Sequence, residues 1–304
     1  MNFNNIIGNE QNKKLLINSI KSNNLVHSYM FTGTDGIGKK LFAMAFAKMI
    51  LCENENKPCD HCTSCIRFDG SNHPDFMITD SLDGKSIKIG QIRLLQEKIA
   101  EKPILSDKKV YIINNSDLMT VEAQNCLLKT LEEPPEYAIL ILVLSNENKM
   151  LNTIKSRCTK ISFQKLSNDD LTRYANLNNI NINSNLLDIC DGSISKLNNI
   201  KDNSELYTAI DNIISDIHKK DIIDIWNESE ILYKSKDNIL SLLDYFNTVF
   251  IHELRRTNDT KYINAIKIVE ITKNRLSSNA NYDMCIDNLL LKIWEEFHEN
   301  HNRS

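Results

Sequence analysis

The chain has 304 residues, room for two or more domains, with 41% hydrophobic residues, 25% charged residues and a formal net charge of −4. That balance excludes a long disordered polymer and a uniformly basic nucleic-acid binder. No apolar run reaches the roughly 18 residues of a membrane span, and the opening MNFNNIIGNEQNKK has no signal-peptide core, so a cytoplasmic protein without membrane contact is expected.

The first half alternates short apolar runs with amphipathic stretches. Strands are predicted at Ser28–Thr32, Asp75–Thr79, Val110–Ile113, Ala138–Leu144 and Lys160–Phe163. Helices are predicted between them at Glu10–Ser22, Lys39–Leu51, Ile89–Ala100 and Val121–Glu133. Continuous apolar strands such as AILILVL suit a parallel sheet buried on both faces, so residues 1–165 are expected to form an α/β domain with right-handed crossovers. All the prolines precede residue 136, and after Gly192 the chain has neither glycine nor proline. Such a stretch reads as helix after helix, predicting a small helical segment over 166–205 and a helical bundle over 206–304. Ile286, Leu289, Leu290, Ile293, Trp294 and Phe297 fall on one helical face, as do Ile239, Leu243, Phe246 and Phe250; stripes of this kind pack a core.

Gly33, Thr34, Asp35, Gly36, Ile37, Gly38, Lys39 and Lys40 lie between a predicted strand and a predicted helix. The spacing is that of a phosphate loop, in which backbone N–H groups and the helix N-terminus cradle phosphates and Lys39 reaches the outer ones. The next residue in such a loop is Ser or Thr, whose hydroxyl ligates Mg²⁺. Here it is Lys40, whose ammonium has donors and no lone pair. A neighbouring strand should end in a carboxylate, yet Val110–Ile113 runs into Asn114 and Asn115, with Asp117 placed for turn chemistry. The residues point to a nucleotide-fold domain that does not carry out Mg²⁺-dependent hydrolysis. Gly33, Gly36, Gly38 and Lys39 leave nucleotide binding itself open.

Eight cysteines in a reducing compartment mean metal ligands or free thiols rather than disulfides. Cys52, Cys59, Cys62 and Cys65 read C-x6-C-x2-C-x2-C, which lets four thiolates close on one ion as a structural zinc site. An iron–sulfur cluster is the rival, although the trailing Cys-Pro of the ferredoxin run is missing. His61 or His73 in place of one thiolate is another alternative. Cys126, Cys158, Cys190 and Cys285 are scattered and read as packing residues.

His27 to Phe31 leading into the glycine loop, the four-cysteine module, His73-Pro74-Asp75 and Ile87 to Arg93 follow one another in a distinctive order. Ala123 to Pro135, containing Leu-Leu-Lys-Thr-Leu-Glu-Glu-Pro-Pro, and Thr153 to Cys158 complete it. Over residues 1–165 the chain resembles the clamp-loader subunits of bacterial DNA polymerase III, and among them the delta-prime family, within the AAA+ superfamily. Beyond 165 only helical character and length agree.

The resemblance implies a three-domain member of a five-subunit ring with gamma/tau ATPase subunits and a clamp-opening delta subunit. That ring places the sliding clamp on primed DNA during replication, as part of the polymerase holoenzyme. It implies that this member does not hydrolyse ATP itself, and that Arg157 of Ser156-Arg157-Cys158 is an arginine finger reaching ATP on a neighbouring subunit. It also implies that Phe3, Ile7, Gly8 and Asn9 pack near an adenine position. Gly192-Ser193 is similar to the turn before a sensor arginine, but Ser195 and Lys196 stand where that arginine would be. Two other readings compete: an active gamma/tau-like P-loop ATPase, and a zinc-module nucleic-acid binder. Glu53, Glu55, Asp60 and Asp69 around the cysteines weigh against the second of these.

Overall fold

The computed structural model describes residues 2–298 apart from 83, 216 and 279, so the predicted segments that reach Met1 and 299–304 extend past the described residues there. The chain divides into two units, one of residues 1–174 with 192–195, the other of 175–191 with 196–304.

In the first unit the order is α1 (Glu10–Lys21), β1 (Ser28–Thr32), α2 (Lys39–Leu51), α3 (Thr63–Asp69), β2 (Phe76–Thr79) and α4 (Ile89–Ala100). It continues with β3 (Lys109–Ile113), α5 (Val121–Glu132), β4 (Ala138–Leu144), α6 (Asn152–Lys155) and β5 (Thr159–Ser162). The strands form one sheet in the order β2-β3-β4-β1-β5, and every pair is parallel.

The continuous apolar character of β4 has a direct cause: all its residues are buried. Ile139, Ile141 and Val143 pack in one core with Leu16, Phe31, Phe42 and Phe46. Ala138, Leu140, Leu142 and Leu144 pack in the other with Ile92, Leu95, Ala123 and Leu127. Alternate side chains thus serve opposite faces of the sheet, each covered by helices.

Three strands differ from the sequence reading, β2 and β3 by one residue at their start and β5 by one residue at each end. Asp75 lies just before β2; its carbonyl still accepts the Val110 amide at 2.9 Å, and its buried carboxylate accepts the amides of Ile104, Leu105 and Ser106 at 2.8, 2.7 and 2.8 Å. Lys109 opens β3 because its ammonium, buried, donates to the carbonyls of Lys98 and Glu101 at the end of α4. β5 begins at Thr159, paired with Tyr29. The α3 turn, absent from the sequence reading, is capped from inside the cysteine module, with Cys62 Sγ accepting from the Cys65 amide.

Beyond α7 (Asn168–Leu177) the second unit has helices and no strand among its described residues. Its helices are α8 (Ser184–Cys190), α9 (Ile194–Asp202), α10 (Ser204–Ile214), α11 (Ile222–Glu228), α12 (Glu230–Tyr233), α13 (Ile239–Thr257), α14 (Lys261–Ser277) and α15 (Tyr282–His298). The predicted stripes are buried, apart from half-buried Trp294, whose indole N–H donates to the Lys220 carbonyl at 3.0 Å. Phe250, Tyr262 and Phe297 join α13, α14 and α15 through ring contacts of 5.1 to 6.3 Å. No described helix is long and apolar enough to cross a membrane.

Candidate functional site

The glycine loop leaves β1 at the carboxyl edge of the sheet, where a parallel fold opens its ligand crevice. Gly33 has φ +151°, and a Cβ there would lie 2.6 Å from the Phe163 carbonyl oxygen. Gly36 has φ +75°, and a Cβ there would collide with Ser193 Oγ, because the 192–195 turn rests on the loop with the Ser195 amide donating to the Gly36 carbonyl at 3.2 Å. Both positions therefore require glycine for conformation and for space. Gly38 ends the loop and leads into α2.

Lys39 Nζ donates to the Gly33 and Thr34 carbonyls at 2.8 and 2.6 Å and to Ser145 Oγ at 3.1 Å. Burial lowers its pKa, while the charges of Asp35 and Asp117 oppose the shift. Asp117 also accepts the Asn146 amide at 3.0 Å, a contact that joins the segment after β3 to the segment after β4 rather than a bond within its own turn.

Sequence reasoning missed Asp80, at the tip of β2. Its Oδ2 accepts Asn114 Nδ2 at 2.7 Å and lies 3.7 Å from Lys40 Nζ, while Oδ1 accepts Asn115 Nδ2 at 3.2 Å and the Ser81 amide at 2.9 Å. The three residues that depart from a hydrolysing loop thus converge on one carboxylate. Ser145, at the tip of β4, was missed in the same way. Both directly follow a strand, and in a parallel sheet all such positions share one edge; that was the available signal.

The four cysteines of the module come together. Cys52 follows α2, Cys59 and Cys62 flank a turn, Cys65 lies in α3, and their Sγ atoms all lie within 4.8 Å of one another. Tetrahedral zinc with Zn–S near 2.3 Å needs S···S of about 3.8 Å, close to the 4.0 Å between Cys52 and Cys62. The Cys62 amide donates to Cys59 Sγ and the Cys65 amide to Cys62 Sγ, at 3.3 and 3.4 Å, so the loop already points donors at sulfur. The residues present fit a closed four-thiolate site. Burial pushes the thiols of Cys52 and Cys65 up; it opposes the fall at Cys59, where amide donors of His61 and Cys62 bring the thiol down to about 6.

Neither histidine joins the cluster: His61 Nδ1 is paired with the Cys59 carbonyl at 2.6 Å, and His73 is buried between Ser64 and the Asp75 amide. A third residue that sequence reasoning missed ties the module down. Lys48 of α2, fully buried, pairs with Asp60 at 2.5 Å and Asp69 at 2.7 Å.

Arg157 lies between α6 and β5, at the edge where the strands begin. Its carbonyl accepts from Ser28 Oγ at 2.7 Å, at the first residue of β1. The phosphate loop leaves the other end of that strand, on the order of 13 Å away for five residues. Beside Arg157 is an open cleft of about 480 Å³ lined by Leu25, Val26, His27, Pro134 and Pro135 among others. Of the residues expected near an adenine, Phe3 is buried against Phe42 at 5.6 Å, and Gly8 meets Leu166.

The sequence profile of a family described as "DNA polymerase III, delta subunit" matches residues 8–167. The DNA polymerase III subunit delta′ of Bacillus subtilis is 43% identical over 154 residues, 50% of this chain and 46% of that protein. Subunit gamma/tau of Mycoplasma pneumoniae is 34% identical over 168 residues, 55% of this chain and 24% of that one. The match thus spans less than half the length of these relatives. Among solved structures, a DNA polymerase III gamma subunit-related protein from Thermotoga maritima aligns over 93% of this chain and 100% of its own, at 14% identity and a TM-score of 0.49.

Proposed function

We propose, since the chain belongs to the DNA polymerase III delta subunit family, that it is the delta-prime-type member of a clamp-loading ring: a subunit that does not hydrolyse ATP but serves a neighbour's hydrolysis. The observation that carries this reading is the convergence of Lys40, Asn114 and Asn115 on Asp80. Magnesium needs near-octahedral oxygen ligands. An ammonium stands at the position of the ligating hydroxyl and an amide at that of the carboxylate, so Mg²⁺ does not fit. Neither amide can act as a general base, and Asp80 already accepts three hydrogen bonds and faces the Lys40 ammonium.

The neighbour's reaction is served by Arg157. It lies at the far end of β1 from its own phosphate loop, so its guanidinium is available to a phosphate on another subunit. There it offers planar, fixed donors to charge developing on a transferring phosphoryl group. Its partners in this role are gamma/tau-type ATPase subunits and a clamp-opening delta subunit in a five-membered ring in the cytoplasm, acting on a sliding clamp and primed DNA. Residues 1–165 form the nucleotide-fold domain, 166–205 a lid and 206–304 the collar through which the ring assembles. Cys52, Cys59, Cys62 and Cys65 hold a structural zinc ion, whose contribution is to staple the loop after α2; with no open coordination position it has no catalytic task.

The similarity to gamma/tau subunits, together with the retained Lys39, supports the competing reading of an active ATPase. Steady-state ATP turnover by the purified chain with magnesium separates the two. The expected result is no turnover. Turnover abolished by Lys39→Ala would establish the active ATPase instead.

A further inference from the structure

A magnesium ion and one carboxylate together bring a net charge of +1 to a phosphate loop. An ammonium and a neutral amide bring the same +1. Lys40 and Asn114 make both exchanges at once, so the two changes between them add no net charge, and the Asp80 carboxylate beside them is counted in addition. The two groups also share a partner: the Asp80 Oδ2 that accepts Asn114 Nδ2 at 2.7 Å lies 3.7 Å from Lys40 Nζ. That second distance exceeds a hydrogen bond, so the ammonium is oriented by the carboxylate yet keeps donors for a ligand. The Lys40 side chain is 48% exposed.

Lys39 is prepared in the same sense. Two of its donors are anchored on the Gly33 and Thr34 carbonyls, while the third meets only the Ser145 hydroxyl, at 3.1 Å, where a phosphate oxygen can take over. Magnesium therefore lacks its ligands here, while the loop's donors to phosphate remain and the Lys40 ammonium supplies a cation at the position of the missing hydroxyl.

We propose that the Lys40 ammonium, held by Asp80, takes the place of the divalent cation, so that this loop binds the phosphates of a nucleoside triphosphate without metal. The inference rests on the non-hydrolysing reading above and goes beyond it, since that reading leaves occupancy of the loop open.

The test is equilibrium binding of ATP to the full chain in buffers passed over chelating resin. Magnesium is omitted rather than complexed, so that the thiolate site keeps its metal. The native chain binds ATP with a Kd that changes by less than about threefold when excess magnesium is added. Lys39→Ala abolishes binding in both buffers, which locates it in the loop. Lys40→Thr, which restores a hydroxyl, makes binding weaker by about tenfold or more without magnesium than with it. Lys40 is half exposed, so the variant folds, and its melting curve serves as the control.

The proposal is overturned by native binding that requires magnesium, by absence of binding at millimolar ATP in both buffers, or by metal-free binding that Lys40→Thr leaves intact. ATP turnover by the native chain would overturn the non-hydrolysing reading instead. The two failures are read from different measurements.

Discussion

Arg157 and Glu132 form an ion pair within the chain, Nη2 to Oε1 at 2.8 Å, while Nη1 donates to the Thr153 carbonyl at 2.9 Å. The arginine backbone is pinned to Ser28, but its side chain is 35% exposed and that of Glu132 49%. Exposed pairs of this kind contribute ~0–1 kcal/mol, so a phosphate of higher charge can displace Glu132 at little cost.

It follows that Arg157→Ala leaves the melting of the isolated chain almost unchanged, by about 1 kcal/mol or less. In a ring reconstituted with ATPase and clamp-opening subunits, the same change lowers DNA-stimulated ATP turnover by about tenfold or more. Arg157→Lys does not restore it, because a point charge lacks the planar fork. Glu132→Gln preserves turnover, since it only releases the guanidinium. Full turnover by the Arg157→Ala ring would remove the finger.

Lys48 carries the second prediction. It is fully buried in α2, and both its carboxylate partners belong to the cysteine module. Burial alone would lower its pKa, but Asp60 and Asp69 together raise it, so it stays charged across the neutral range. The partners are about half exposed and can rehydrate, so Lys48→Met costs about 1–3 kcal/mol rather than the full loss of a buried pair. Freed from α2, the module releases zinc to a chromogenic chelator several-fold faster, and Lys48→Arg recovers most of the native rate. Identical release rates for native chain and Lys48→Met would show that the clip does not hold the module.

What could be read from sequence divides along one physical line, local against non-local. The buried parallel strands were legible in AILILVL and its neighbours because period and burial leave their mark within a few residues. The four cysteines and the glycine loop were legible because their ligands come from one short segment each. Asp80, Ser145, Glu132 and Lys48 were not, since their roles exist only once strand tips and loops converge; Asp80 meets Asn114 across 34 positions of sequence. Lys48 did leave a trace: a lone cation inside FAMAFAKMIL has to find a carboxylate if that helix is buried. Asp75 shows the opposite failure, where an acidic residue beside an apolar run was assigned to the strand although its carboxylate holds the 104–106 loop.

The thiolate cluster predicts a metal content. Protein purified without chelator is expected to carry about one equivalent of zinc and no visible absorption of the kind an iron–sulfur cluster gives. Cys59→Ser or Cys65→Ser lowers that content well below one equivalent. Melting falls by about 5 °C or more, as a loss of ~2 kcal/mol produces in a unit of this size. A full equivalent of zinc bound by the Cys65→Ser chain would mean that the ion sits elsewhere.

The last prediction concerns acid. His73 is buried, its Nδ1 accepts the Asp75 amide at 3.0 Å, and Nε2 therefore carries the proton toward Ser64 Oγ at 2.9 Å. Ser64 in turn donates to the Leu51 carbonyl at 2.7 Å, so the neutral ring links the end of α2 to the segment before β2. Burial lowers the His73 pKa below its ordinary value, against the pull of Asp75; Arg67 lowers it further, and Glu53 opposes. A group depressed in the folded state binds protons more tightly when unfolded. The stability it contributes is complete above the unfolded value of about 6.5 and is lost as pH falls through the lower folded value. Melting temperatures between about pH 5 and 8 should therefore drop on the acid side for the native chain. For His73→Gln, less stable at neutral pH, the drop should be shallower. Parallel profiles for the two proteins would place the acid sensitivity in other groups.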